Sequence, residues 1–122
     1  MLERIRPGTI VLFHTGWSRR RGSAAYFRHP FLDADACARL LDRGVLTFGV
    51  DAPSIDETPD EHHPGDDFPC HRLIAEAGGV ICENLRNLEA VTFGDPFVSL
   101  LPLPLEGADG APVRAVAMRF GR

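Results

Sequence analysis

The sequence predicts an α/β fold with a mixed sheet and short helices. Three observations carry that prediction. Aliphatic and β-branched runs alternate with short amphipathic stretches between residues 9 and 82, the pattern of strands joined by helices. Two apolar segments flanking Gly107-Ala108-Asp109-Gly110 then close the chain as an antiparallel hairpin. Finally, 122 residues with 44% hydrophobic and 25% charged content can bury a core and fit a single domain over 1–122.

Pro7-Gly8 is a turn signal, and Thr9-Ile10-Val11-Leu12-Phe13 after it reads as a buried strand ending at Thr15-Gly16. Residues 18–32 read as irregular. Asp33 fits a helix N-cap, residues 34–43 carry helix formers with Leu40 and Leu41 inward, and Gly44 stops the helix. Residues 45–50 form the second strand, whose end delivers Asp51. A loop with four prolines runs from there to Pro69. Residues 71–77 are a short helix stopped by Gly78-Gly79, and Val80-Ile81-Cys82 is a brief strand. Residues 97–105 and 113–120 pair as the terminal hairpin.

Charge and composition exclude several classes. Thirteen basic against seventeen acidic residues give a net charge of -4, which leaves no basic surplus to neutralise phosphates and argues against nucleic acid. The Arg19-Arg20-Arg21 run reads as a solvated loop. No apolar stretch reaches the ~20 residues of a membrane helix, and the mixed-charge N-terminus does not read as a signal peptide. Cys37, Cys70 and Cys82 are odd in number and lack CxxC spacing, so free thiols in a cytoplasmic protein are expected.

Candidate chemistry sits where strands end. His14, Thr15 and Trp17 follow the first strand and Asp51 follows the second. Such strand ends line binding crevices in α/β folds, although Asp also simply opens turns. His71 and Glu83 are suitable zinc ligands by type, and a helix-strand hairpin can bring them together. Their spacing of twelve forms no local motif, and a solvated His beside a surface Glu is the plainer reading of spacing alone. His62-His63, among Glu57, Asp60, Glu61, Asp66 and Asp67, reads as an acidic loop or lid. Cys70 beside His71 is a weak nucleophile pair, because helix neighbours face different ways.

Taken in order, the segments PGTIVLFHTGW, GVLTFGVDAPSID, HRLIAEAGGVICENLRNL and PLPLEGADGAPVRAVA resemble consecutive blocks of the putative cyclase family, which includes kynurenine formamidase, of tryptophan catabolism, and isatin hydrolase. The resemblance runs from about Arg6 to Ala117. It implies a swivelling β/β/α-type fold, a homodimer or higher oligomer, and hydrolysis of an amide-type bond with one or two divalent metals, zinc or manganese. It makes His71 and Glu83 metal ligands. Trp17 and Tyr26 would lie near the pocket for a small aromatic amide, with Asp51 as support, and His14 stands where many members carry Arg.

One departure is large. The family signature HxGTHxDxPxH, which supplies further ligands and a catalytic His, normally precedes the PGxxVL block and is not found here. The sequence therefore reads as the C-terminal two-thirds of the family domain, N-terminally truncated and catalytically weak as a lone chain, because a catalytic zinc usually keeps three protein ligands. A non-catalytic ligand-binding or dimerisation domain is the alternative. Uncovered apolar surface further predicts association through the sheet or a swapped strand.

Overall fold

The computed structural model of the chain describes residues 2–65 and 67–121. Asp66, one acidic neighbour of the His62-His63 pair, lies outside the described residues. The chain divides into two compact units, Met1–Leu88 and Glu89–Arg122.

The first unit holds a three-stranded parallel sheet, β1 (Ile10–Phe13), β2 (Thr47–Val50) and β3 (Val80–Cys82), in the order β1-β2-β3. Val11 pairs with Phe48, which pairs with Ile81, so β2 is central and β1 and β3 are edges. Helix α1 (Ala34–Leu41) connects β1 to β2, and α2 (Pro69–Glu76) connects β2 to β3. The two helices pack against each other, so both cover one face. Alternation along each strand turns Val11, Phe13, Phe48, Val50 and Ile81 toward that face, into a core with Cys37, Leu40, Val45, Ile55, Cys70 and Ile74. Ile10, Leu12, Thr47, Gly49, Val80 and Cys82 fall on the other face.

Local chemistry explains the helix ends. The Asp33 carboxylate accepts the Ala36 N–H at 3.1 Å and caps α1. Gly44 closes it with φ of 81°, and a Cβ there would meet Pro7 Cα at 2.9 Å. Only glycine serves both demands. Val45 and Leu46, read as strand from sequence, instead leave the helix: the Val45 N–H donates to Leu40 O at 3.1 Å. Helix α2 starts at Pro69, two residues earlier than its sequence suggests, because proline suits the first helical position. The irregular stretch 18–32 contains two short 3-10 helices, Trp17–Arg20 and Ala24–Phe27.

The second unit is an antiparallel hairpin of β4 (Phe97–Pro102) and β5 (Val113–Met118), with Phe97 opposite Met118 and Leu101 opposite Arg114. Parallel and antiparallel pairings therefore occur in two separate small sheets. No helix among the described residues is long and apolar enough to cross a membrane.

Candidate metal and substrate site

The centre of the site is a carboxylate that the sequence hid in a loop. Central strand β2 ends at Val50, and the chain after it buries Asp51, Ala52, Ile55 and Asp56. Asp56 is 2% exposed. One carboxylate oxygen accepts the Cys70 N–H at 2.9 Å. The other accepts the His71 N–H at 2.9 Å and meets His71 Nδ1 at 2.7 Å. Phe68, at the N-cap of α2, offers no side-chain bond. Asp56 thus caps α2 from fourteen residues away, where the helix dipole also favours an anion.

Burial by itself would push the Asp56 carboxyl up, but the His71 ring and the Cys70 and His71 N–H groups outweigh it and hold the carboxyl below its ordinary value. An ionised carboxylate only accepts hydrogen bonds, so Nδ1 of His71 carries the proton. Nε2 of a neutral His71 is then left as a lone-pair donor, oriented by a carboxylate as metal-ligating histidines usually are.

Nε2 of His71 lies 3.5 Å from Oε1 of Glu83. Glu83 follows β3 and is anchored by the Ile55 N–H, which donates to Oε1 at 3.0 Å. Both side chains are partly exposed. Zinc–nitrogen and zinc–oxygen bonds of about 2.0–2.2 Å at a tetrahedral angle place two ligand atoms about 3.4 Å apart. The observed separation matches that edge, so the imidazole and carboxylate fit two positions around one divalent ion. Among the described residues no group of three or more His, Cys, Asp or Glu side chains is arranged to hold a metal.

A second set of bonds builds a wall beside this pair. Asp51, with 0% exposure, accepts the Thr15 N–H at 2.9 Å, the Gly16 N–H at 2.7 Å and the Thr15 hydroxyl. The loop so fixed carries Trp17, whose indole N–H donates to Tyr26 O at 2.8 Å. The Tyr26 hydroxyl donates to Asn84 Oδ1 at 2.7 Å, next in sequence to Glu83. Burial, opposed by Arg21, reinforced by Asp51, opposed again by Arg86 and reinforced by Glu83, pushes the Tyr26 phenol above its ordinary value. Tyr26 therefore stays a proton donor at neutral pH. Arg20 stacks over the Trp17 ring at 4.5 Å, which gives one member of the arginine run a local role.

Of the residues singled out from sequence, His71 and Glu83 come together, and Trp17 and Tyr26 are linked through Asn84 to the position beside Glu83. Asp51 faces the Thr15-Gly16 loop rather than open space and holds the wall from beneath. His14 is exposed and stands outside the network. His62 and His63 donate their backbone N–H groups to Asp60 Oδ1 in a local turn. Cys70 is fully buried, donates its thiol to Leu32 O at 3.3 Å, and has its pKa raised by burial and by the neighbouring Cys37, so it forms no pair with the His71 ring. Sequence reasoning missed Asp56 and Asn84. The end of the GVDAPSID segment is the nearest signal for Asp56 and the ENL segment for Asn84, but the contacts of Asp56 with α2 and of Asn84 with Tyr26 are long-range.

Residues 2–57 match the family model described as Putative cyclase. The chain is 34% identical over 114 residues to the kynurenine formamidase of Geobacillus thermodenitrificans (strain NG80-2), which covers 93% of this chain and 51% of that protein. A solved structure described as a potential metal-dependent hydrolase with cyclase activity superposes with a TM-score of 0.75 at 35% identity, covering 93% of this chain and 52% of the other. An isatin hydrolase bound to the product analogue thioisatinate superposes at 0.78 over 93% of this chain and 46% of its own, and its 24% identity shows the shared fold. The chain spans about half the length of these relatives.

Proposed function

We propose that this chain, which carries cyclase-family sequence and fold, contributes the His71–Glu83 half of the metal site of an amide hydrolase acting on an aryl formamide or cyclic amide. The observation that carries the reading is the 3.5 Å approach of His71 Nε2 to Glu83 Oε1, with Nδ1 held by buried Asp56. A divalent zinc or manganese ion bound there supplies a Lewis acid and acidified water. The names of the relatives, kynurenine formamidase and isatin hydrolase, support a small aromatic amide as substrate.

The chain's own residues divide the remaining work. Asp56 fixes the tautomer and direction of His71. The Ile55 N–H fixes one oxygen of Glu83. Trp17, partly exposed, offers an aromatic surface against which a planar substrate can lie, while buried Tyr26 braces Asn84 beside Glu83 and Asp51 locks the loop beneath. Two protein donors are fewer than the three a catalytic zinc usually keeps, so these residues alone are expected to support little hydrolysis. Both units belong, in this reading, to one cyclase-like domain. Homo-oligomerisation is supported by the exposed apolar face of the hairpin, with Phe97 and Leu101 on β4 and Phe120 at 72% exposure beyond β5. Three free thiols support a reducing, cytoplasmic setting.

The test is elemental analysis of the purified chain beside Glu83→Ala, with hydrolysis of an aryl formamide followed in parallel. Metal held by the parent and lost from the variant supports the reading. Metal-free protein after exposure to zinc or manganese would refute it. Aromatic amide bound without turnover, and independently of metal, would select the non-catalytic binding domain instead.

A further inference from the structure

Asn84 adopts a strained backbone conformation, and its side chain is held by a residue far away in sequence. Its φ is 59°, in the left-handed region where glycine is the default and a Cβ is crowded. Asparagine usually tolerates that region by bonding its own neighbouring backbone. Asn84 instead has its Oδ1 bonded by the Tyr26 hydroxyl at 2.7 Å, across 58 residues. The backbone around it is tied as firmly. The Asn84 N–H donates to Ala52 O at 2.9 Å and the Leu85 N–H to Val50 O at 3.0 Å, which fastens the segment after β3 to the end of central β2.

A carboxamide is planar, with an acceptor oxygen on one side and an NH2 carrying two donors on the other. Tyr26 takes the oxygen and so fixes which way the group is turned. Tyr26 is buried and Asn84 is exposed, so Nδ2 points away from the interior, and neither of its N–H groups has a partner among the described residues. Glu83 is the preceding residue, with its Cα about 3.8 Å away. Its carboxylate is close enough to act electrostatically on the same Tyr26 hydroxyl. Consecutive side chains at the end of the sheet thus present a carboxylate suited to a metal ion and a pair of free, oriented donors.

We infer that Asn84 is a substrate-binding residue, whose Nδ2 donates to the carbonyl oxygen of the ligand, and that Tyr26 is the positioning residue that keeps the donors turned outward. The class of ligand, an N-aryl amide, rests on the function proposed above; the role of Asn84 does not rest on metal occupancy. Two donors with no free charge select a neutral acceptor oxygen. The same oxygen gains negative charge when an amide is attacked, and a donor already in place is worth more to it then.

The test uses the intact chain and two probes of one shape, formanilide and thioformanilide, whose sulfur is a poor hydrogen-bond acceptor. Affinities are measured by calorimetry, and zinc content is measured on the same samples. One neutral hydrogen bond predicts that the parent binds formanilide about fivefold more tightly than the thioamide. Asn84→Gly keeps the left-handed backbone, removes the donors and is expected to lose that preference. Tyr26→Phe frees the carboxamide to flip and is expected to show a smaller preference than the parent. If Asn84→Gly folds poorly, Asn84→Asp decides, because it keeps the shape and puts an acceptor where the donors were; the preference must again vanish. A parent that binds neither probe, or both equally, overturns the inference, as does a variant at position 84 that retains the parent's preference. A metal-free parent that still prefers formanilide supports the role of Asn84 while removing the metal half-site. A zinc-bearing parent without the preference overturns the role of Asn84 alone.

Discussion

Replacing Asp56 by Asn tests the site at its most buried polar group. The carboxylate receives three donors, Cys70 N, His71 N and His71 Nδ1, at 2.7–2.9 Å. Asn keeps the shape and one acceptor oxygen, which can still serve Cys70. Its amide nitrogen then faces the backbone N–H and ring nitrogen of His71 and can accept from neither. Hydrogen bonds to charged groups contribute about 1.5–3 kcal/mol each. Losing two, against relief of the buried charge, predicts a net destabilisation of about 2–4 kcal/mol. Because Nδ1 loses its acceptor, His71 is free to rotate or to carry its proton on Nε2, where it would block a metal. Loss of such an orienting partner typically lowers metal affinity about 10–100-fold, or about 1.4–2.8 kcal/mol.

The assay is zinc competition against a chromophoric chelator, paired with urea unfolding of the same samples. A folded Asp56→Asn protein that binds zinc within twofold of the parent would refute the orienting role. The acid limb supplies a second check. The Asp56 carboxyl lies below its ordinary value in the folded protein, so its stabilisation is fully present above the unfolded value of about 3.9 and disappears as pH falls through the folded value. Stability of the parent should drop across that interval, and the drop should be shallower in Asp56→Asn.

Further outcomes follow from neighbouring residues. Gly79→Ala should destabilise by about 1–3 kcal/mol in urea unfolding, because its Cβ would lie 2.7 Å from Leu46 O, a backbone atom with little freedom to yield. Asp51→Asn should loosen the Thr15-Gly16 loop and red-shift the emission of Trp17, the single tryptophan; an unchanged spectrum in a folded variant would show that the loop does not depend on the carboxylate. In native protein a thiol reagent should modify Cys82 well before Cys37 and Cys70, which are fully buried. Burial and the Glu83 charge push the Cys82 thiol up, so its reaction rate should still climb above pH 9, and equal rates at all three thiols would contradict the packing of α1 on α2.

What was legible in the sequence was what neighbouring residues decide. Asp33 three residues before Ala36, Gly44 after Leu41 and the apolar run at 10–13 announce their own structures. The hairpin was readable too, although its strands stop at Pro102 and Val113: the Leu103 N–H still donates to Pro112 O, but Pro112 has no N–H to return the bond. The start of α2 was misplaced for the opposite reason. Pro69 at the first helical position is a local signal, but the cap comes from Asp56, and no local pattern marks a carboxylate that reaches across fourteen residues. The stretch read as loop is loop as far as Phe68, yet Ala52, Ile55 and Asp56 at its start are among the most buried residues described. The ligand types at 71 and 83 were visible, while their meeting depended on α2 and β3 packing back on the core.

That long-range control has a single origin. β2 is the central strand, and the two carboxylates that follow it, Asp51 and Asp56, are each almost completely enclosed. An enclosed carboxylate is costly unless donors surround it, and each has three. Asp51 draws its donors from the loop after β1, which fixes Trp17 and through it Tyr26. Asp56 draws its donors from the start of α2, which fixes His71. The two walls of the candidate site therefore hang from one six-residue turn, Asp51 to Asp56. Their spacing is set by the strand pairing of β1 and β3 on either side of β2, not by the long loop at residues 57–68. Changes within that exposed loop should alter access to the site while leaving the His71–Glu83 separation intact, whereas changes at residues 51–56 should alter the separation itself.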